Sequence, residues 1–369
     1  MQRLGVDYSS IKEESVTRRY VTNEDILPFL ETVSEQFKVT IIGKSVMGKS
    51  IKMIEVGSGE NKILMWSQMH GNESTTTKAV LDFINFLNEP NETSVAIKKN
   101  CTLYIIPILN PDGAEAYTRI NANEIDLNRD AQNLSQPESI VLRNIYNEVK
   151  PGFCFNLHGQ RTIFNVGDTP KPATISFLTP SQNVERSITS NRIISMQIIA
   201  TMNKMLQKLI PGHIGRYDDS FNANCVGDTF QMLSTPTILF EAGHCPNDYE
   251  REITREYIYY SLISGALAIA TKQYVEYTEK DYFMIPENNK LFFDVLIENA
   301  HLIHEKYEKG DKIGILYKEV LVGSAIEFDP KIDKIGKLSN YFGHKTYDCF
   351  IKEELKNLNE QTHIIEALK

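Results

Sequence analysis

No stretch of these 369 residues approaches the roughly 20 consecutive apolar residues of a membrane-spanning helix, so a membrane protein is not expected. Residues 1–8, MQRLGVDY, lack the apolar segment of a secretory signal, and the expected location is the cytoplasm. Cysteine is scarce and odd in number. Cys101, Cys154, Cys225, Cys245 and Cys349 are widely spaced and mostly embedded in apolar runs, which fits reduced thiols rather than a disulfide frame. None has zinc-knuckle spacing. Positive charge is in deficit: 39 Lys and Arg against 48 Asp and Glu leave a net charge of −9. That balance argues against a general nucleic-acid or anionic-membrane surface, while permitting a local basic pocket. Internal repeats and low-complexity segments are also missing. What remains is a chain with 41% hydrophobic residues, enough to fill the core of one large domain plus a small one.

The most informative stretch is His70-Gly71-Asn72-Glu73-Ser74. It follows an apolar run at 62–68 and precedes Val80, Phe83, Ile84 and Leu87, whose spacing is that of a helix face. His70 and Glu73 therefore stand between a strand end and a helix start, where their side chains can converge on one metal ion. Two more strands have the same design. The run Phe153-Cys154-Phe155-Asn156-Leu157 delivers His158, and Thr237-Ile238-Leu239-Phe240 delivers Glu241. In open α/β sheets ligands gather beyond the carboxyl ends of the strands.

One motif is a decoy. Gly43-Lys44-Ser45-Val46-Met47-Gly48-Lys49-Ser50 matches the phosphate-loop pattern letter for letter. A phosphate loop needs a helix to begin at its Lys-Ser, so that amide groups and the helix dipole face the phosphates. Here the alternating run 51–56 and then Gly57-Ser58-Gly59 follow, so the segment reads as a hairpin.

The rest of the chain fits an alternating pattern. A helix is expected with Ile26, Phe29, Leu30 and Val33 on one face after the cap Asn23, and the run 102–109 reads as a strand buried on both faces, with Pro107 near an edge or bend. Asn110-Pro111-Asp112-Gly113 reads as a turn, followed by a polar stretch to residue 133. Further helices are expected around Leu142–Val149, at about 184–209 and from about 248 to 271. The fold class is therefore α/β: a mixed, mostly parallel sheet with helices on both faces. From about residue 281 the texture changes to short β-like runs at 290–297, 312–322 and 325–328. We place the boundary so that residues 1–278 form the main domain with its N-terminal helix and 279–369 a small β-rich C-terminal module.

In their order, His70-x-x-Glu73, Asn110-Pro111-Asp112-Gly113, Arg119, Asp126-x-Asn128-Arg129, His158 and Glu241 resemble the motifs of zinc carboxypeptidases of the M14 family. The resemblance covers roughly residues 38–271 and omits the module. It implies one Zn²⁺ per chain held by His70, Glu73 and His158, with an open position for water, which is the arrangement of catalytic rather than structural zinc. It further implies that Glu241 takes the proton from the attacking water and passes it to the leaving amine, and that Arg119 stabilises the oxyanion. Asn128 and Arg129 resemble the pair holding the substrate's terminal carboxylate, and Asp126 the carboxylate that orients His70. The family's tyrosine on a mobile loop corresponds to Tyr217, or in a shifted register to Phe221. Side-chain specificity belongs near 224–230, where Asp228 would favour a basic group and Val226 an apolar one. His301-x-x-His304 has ligand-like spacing but no third partner and reads as a solvated face.

The expected protein is a metallocarboxypeptidase releasing C-terminal residues from small peptides with a free carboxylate. A cell-wall peptide γ-glutamyl amidase or an N-acyl amino acid deacylase would use the same residues. A non-catalytic zinc-retaining binding protein is the rival of a different class. The oligomeric state and the role of the module are left open.

Overall fold

In a computed structural model describing residues 7–368, the apolar runs pair into one eight-stranded sheet. Its strands are β1 (Lys38–Lys44), β2 (Ser50–Gly57), β3 (Asn61–Ser67), β4 (Cys101–Ile106), β5 (Phe153–Gly159), β7 (Ile175–Leu178), β8 (Ile214–Arg216) and β9 (Thr237–Ala242), while β6 (Asn165–Val166) lies apart. The order is β1-β2-β4-β3-β5-β9-β7-β8. The centre, β4-β3-β5-β9, is parallel, and antiparallel pairings join β1 to β2, β2 to β4 and β7 to β9.

The connecting helices are α1 (Asn23–Val33), α2 (Thr75–Asn88), α3 (Glu92–Asn100), α4 (Pro111–Ala116), α5 (Pro137–Val149), α6 (Ser190–Leu206), α7 (Val226–Met232) and α8 (Glu252–Thr271). Strand β3 shows why its sequence is apolar throughout. Ile63 and Met65 join the core under α1, α2, α6 and α8, whereas Leu64 and Trp66 join a second core under α5 and α7. A strand covered on both faces needs no polar alternation. None of the described helices is long and apolar enough to cross a membrane.

Several expectations are corrected in detail. The cap of α1 is Thr22, whose N–H and hydroxyl both donate to Asp25, and Asn23 is the first helical residue. Strand β4 is interior, so of the edge or bend expected at Pro107 the bend is what is found, directly after the strand's last residue Ile106. Asn110-Pro111-Asp112-Gly113 opens the short helix α4, with Asn110 Oδ1 accepting from Gly113 N at 2.9 Å. The helices α6 and α8 are shorter than the expected spans at 184–209 and 248–271. The phosphate-loop decoy is the β1–β2 hairpin. Met47 N and Ser45 Oγ donate to Asp112 at 3.0 and 2.8 Å, and Val46 N donates to Glu138 at 3.0 Å. Internal carboxylates thus take loop groups that a phosphate would need.

After α9 (Glu279–Phe283), strand β10 (Asn288–Asn289) pairs with β6, and a separate four-stranded sheet follows: β11 (Phe292–Glu298), β12 (Lys312–Val322), β13 (Ala325–Gly336) and β14 (Phe342–Asp348), ordered β13-β12-β11-β14. Two terminal helices, α10 (Lys352–Asn359) and α11 (Thr362–Leu368), close its core around Ile297, Ile313, Tyr347 and Leu358. This sheet docks on the first through buried polar contacts. Glu319 pairs with Arg19 at 2.7 Å, Asp294 accepts from Tyr249 Oη at 2.9 Å, and His344 Nε2 lies 2.8 Å from Thr162 O.

Candidate active site

The bend after β3 is tightly determined. Gln68 adopts a left-handed φ of 48°, and its amide donates to Val21 O and Gly71 O at 2.7 and 2.8 Å. A Cβ on Gly71 would stand 1.9 Å from the backbone of Gly113, so this bend and the start of α4 pass too closely for any side chain. The turn is completed by Glu73 N donating to His70 O at 3.0 Å, which puts both side chains on the same side.

His70, Glu73 and His158 meet. Glu73 Oε1 lies 2.8 Å from His70 Nδ1, Glu73 Oε2 lies 2.9 Å from His158 Nδ1, and the two Nδ1 atoms are 3.0 Å apart. Among the described residues this is the one group of three or more His, Cys, Asp or Glu side chains close enough to hold a metal ion; His301 and His304 form none. Two imidazole nitrogens facing one carboxylate within 3 Å form the donor set Zn²⁺ accepts, so the residues present fit the ion. Gly159 N fixes Glu73 Oε2 at 2.9 Å, and Asp126 Oδ1 lies 3.2 Å from His70 Nε2, where it can orient the ring. Burial opposes charge on Glu73, yet His70 and His158 outweigh it and hold the carboxyl well below its ordinary range. Burial also lowers His158.

Glu241 sits beside His158 in the parallel pairing of β5 with β9. Its Oε2 is buried without a hydrogen-bond partner among the described residues. Burial, reinforced by the charge of Glu73, raises its carboxyl well above the ordinary value. A carboxyl raised in this direction holds a proton more readily than an ordinary glutamate, which suits proton transfer.

Of the remaining expected residues Arg119, Asn128, Arg129, Tyr217 and Asp228 line the same cleft of about 810 Å³, whereas Val226 is turned into the core under α5 and α7. Arg119 donates through Nε to Asp126 at 3.1 Å, and its Nη1 is 3.2 Å from His70 Nδ1 and 3.5 Å from Glu73 Oε1. It is therefore packed against the ligand triad rather than across from it. Asp126 also caps the turn Leu127–Arg129 by accepting from Asn128 N at 2.9 Å, so one carboxylate does both jobs. Asn128 Oδ1 accepts from Val226 N at 3.0 Å, and Arg129 Nη1 lies 3.0 Å from Cys225 Sγ. Tyr217, whose ring packs on Phe164, lines the cleft, and burial followed by the charge of Glu241 raises its phenol far above the usual range. Phe221 does not line it. Asp228 does, with burial raising its carboxyl to about 7.

Sequence reading missed other parts of the cleft. Arg161 follows the His158 strand, Arg251 donates to Ala242 O at 2.8 Å and Gln160 O at 3.0 Å, and Lys318, Glu319 and Phe328 come from the C-terminal sheet. A local signal existed only for Arg161, three residues from His158. The others arrive by tertiary packing.

The sequence profile of the zinc carboxypeptidase family matches residues 26–171, and over that segment the chain is similar to the M14 zinc carboxypeptidases. The segment holds every residue of the cluster from His70 to His158, while Tyr217 and Glu241 lie beyond it. Carboxypeptidase SOL1 of Arabidopsis thaliana is 29% identical over 173 residues, 41% of this chain and 35% of that protein. Gamma-D-glutamyl-L-diamino acid endopeptidase 1 of Lysinibacillus sphaericus is 32% identical over 92 residues, 23% of each chain. The matched segments thus span about a third or less of these relatives' lengths. A metallo-carboxypeptidase from Burkholderia cenocepacia has a similar fold, with a TM-score of 0.55 at 17% identity over 69% of this chain and 70% of that one.

Proposed function

We propose that this chain is a zinc-dependent hydrolase that releases C-terminal residues from small peptides, with one zinc ion held by His70, Glu73 and His158. The observation that carries the reading is the convergence of these three side chains within 3.0 Å beside Glu241, whose carboxyl is buried and partly unpartnered. Zinc, when bound, supplies Lewis acidity, polarising a carbonyl and bringing a coordinated water to a pKa of about 7. Glu241, one residue across the sheet from His158, takes the proton of the attacking water and returns it to the leaving amine. Asp126 holds His70 in one tautomer and orientation. Arg119, nearly half exposed, supplies positive charge for the developing oxyanion at the edge of the triad. Arg129 and Asn128 receive the terminal carboxylate, and Tyr217 closes over the substrate.

The match to a γ-D-glutamyl endopeptidase keeps a second reading in view, in which the same residues cut a γ-glutamyl amide. The deciding experiment measures metal content and hydrolysis, before and after chelation, on peptides with free and with amidated C-termini. About one zinc per chain and a requirement for the free carboxylate support the carboxypeptidase. Equal cleavage of amidated peptides moves the reading to the amidase, and absence of bound zinc rejects both.

A further inference from the structure

The C-terminal sheet reaches the cleft through an overhang. Strand β11 pairs with β12 only at Ile313, Gly314 and Ile315. Beyond them β12 and β13 continue as a two-stranded arm, paired from Leu316 with Lys331 to Val322 with Ala325. The arm is seated on the main domain: the Tyr249 ring lies 5.4 Å from Tyr317 and 5.1 Å from Phe328, and Glu319 accepts from Arg19 and from Tyr117 Oη at 2.7 and 2.5 Å. Two hydrogen bonds link Glu319 through Arg19 to Ser74, the residue after Glu73, since Ser74 Oγ donates to Arg19 O. The arm is thus a wall of the cleft, and Lys318 on it lines the same space as Arg161.

The charges of this space do not follow the acidic balance of the chain. Among the described residues, four cations lining it have no carboxylate partner. Arg129 contacts Asn128 O and Cys225 Sγ, Arg251 contacts backbone carbonyls, and Arg161 and Lys318 have no polar partner. Opposing them, Asp333 is exposed on β13 just beyond the arm, and Asp218 pairs weakly with Arg186 at 3.5 Å. Glu319 is neutralised by Arg19, and Lys331 by Asp329. Burial favours the neutral acid at Asp228 and Asp294. Arg129 suffices for one terminal carboxylate. Arg161, close enough to Tyr217 to act on it electrostatically, and Lys318 are left over.

We infer that the β12–β13 arm makes the C-terminal module part of the substrate site, and that Lys318 together with Arg161 selects peptides bearing a second carboxylate upstream of the scissile bond. This rests on the peptidase reading above. The carboxylate can belong to an acidic side chain or to a γ-linked residue's free α-carboxylate; the chemistry is shared. Guanidinium and ammonium groups flanking a cleft accept it with little desolvation, and their attraction is screened by salt.

The test uses the zinc-loaded full chain and two peptides with the same free C-terminus, one with Glu and one with Gln at the residue before the scissile bond. A third peptide carries a γ-linked glutamate at that position. The expected result is a kcat/KM about tenfold or more higher for the Glu or γ-linked peptide, shrinking as salt rises from low to high ionic strength. The double variant Lys318→Ala with Arg161→Ala brings the ratio to near one by raising KM for the acidic peptide, and Asp333→Asn increases it. Both cations are on the rim, so their loss leaves the core intact. A ratio near one in the wild type, or one that survives the double substitution, overturns the inference. Affinity of the same peptides for the Glu241→Gln chain is measured in parallel. If no peptide is hydrolysed, the peptidase reading fails, and the Glu-to-Gln affinity ratio alone supports or overturns the selection by charge.

Discussion

His158 and Glu241 stand abreast on parallel strands, the one turned into the metal cluster and the other carrying a buried carboxyl oxygen that nothing among the described residues satisfies. A strand register, not a loop, sets their separation, which is the rigid placement that proton transfer needs. Glu241→Gln preserves shape and removes the base. Turnover is expected to fall by roughly 10²–10⁴-fold with zinc content unchanged. Metal analysis beside steady-state kinetics checks this; full activity in the variant would remove Glu241 from the mechanism.

Asp126 is expected to act on the metal without touching it. Its Oδ1 lies 3.2 Å from His70 Nε2, the nitrogen turned away from the cluster. Asp126→Ala should weaken zinc binding about 10–100-fold, measured by competition with a chromogenic chelator. Because Asp126 also caps the Leu127–Arg129 turn, Asp126→Asn is the cleaner comparison: it can still accept from Asn128 N but carries no charge.

Arg129 reaches into the cleft with only a thiol and a backbone carbonyl as partners. Arg129→Ala should cost on the order of 2 kcal/mol in transition-state binding of free-carboxylate peptides, about thirtyfold in kcat/KM. The loss should vanish for amidated peptides. Equal losses on both would show that Arg129 shapes the cleft rather than holding the carboxylate.

The metal cluster was legible because each ligand ends or follows an apolar strand, and strand ends in an α/β sheet share one edge. The sheet itself was legible for a related reason: runs such as Ile63-Leu64-Met65-Trp66, buried on both faces, leave no ambiguity of period. Short or half-exposed elements were not. Helix α3 has few apolar residues, only Ser94 and Ile97 being buried, and β8 has three residues held largely by β7. Asn110-Pro111-Asp112-Gly113 has the composition of a turn, and becomes a helix start because Asn110 caps it and Asp112 is held by the β1–β2 hairpin. The arm that walls the cleft was invisible in principle. Glu319 and Lys318 lie more than 150 residues from His158 in sequence, and no local pattern records where a strand docks.

Stability should hinge on a pair far from the chemistry. Asp82 on α2 and Arg255 on α8 are both fully buried, with Nη2 and Nε of Arg255 at 2.6 and 2.7 Å from the two carboxylate oxygens. Arg255 also donates to Val16 O and Glu13 O, and Tyr8 Oη donates to Asp82, so the pair pins the N-terminal segment to the helices. Asp82→Ala leaves the buried guanidinium with Glu252, at 3.1 Å, as its remaining carboxylate, and is expected to destabilise the fold by about 3 kcal/mol. Urea unfolding with a reduced midpoint and an unchanged slope is the expected signature.

Asp228 gives a pH dependence whose sign is fixed by burial. Its carboxyl is raised to about 7 in the folded chain, against about 3.9 for an unfolded aspartate. The folded state therefore holds the proton where the unfolded state has released it. The resulting stabilisation is complete below about pH 4 and disappears as pH rises through about 7, with a slope of up to about 1.4 kcal/mol per pH unit between them. Asp228→Asn, which cannot titrate, lacks this slope. Urea midpoints for both chains at intervals from pH 4 to 8 isolate it as a difference, expected to narrow in the wild type's disfavour as pH rises. A difference that stays flat would mean an ordinary, ionised Asp228. The consequence reaches the substrate: a raised Asp228 is half neutral near pH 7 and attracts a basic side chain only above it, whereas an ordinary one does so throughout.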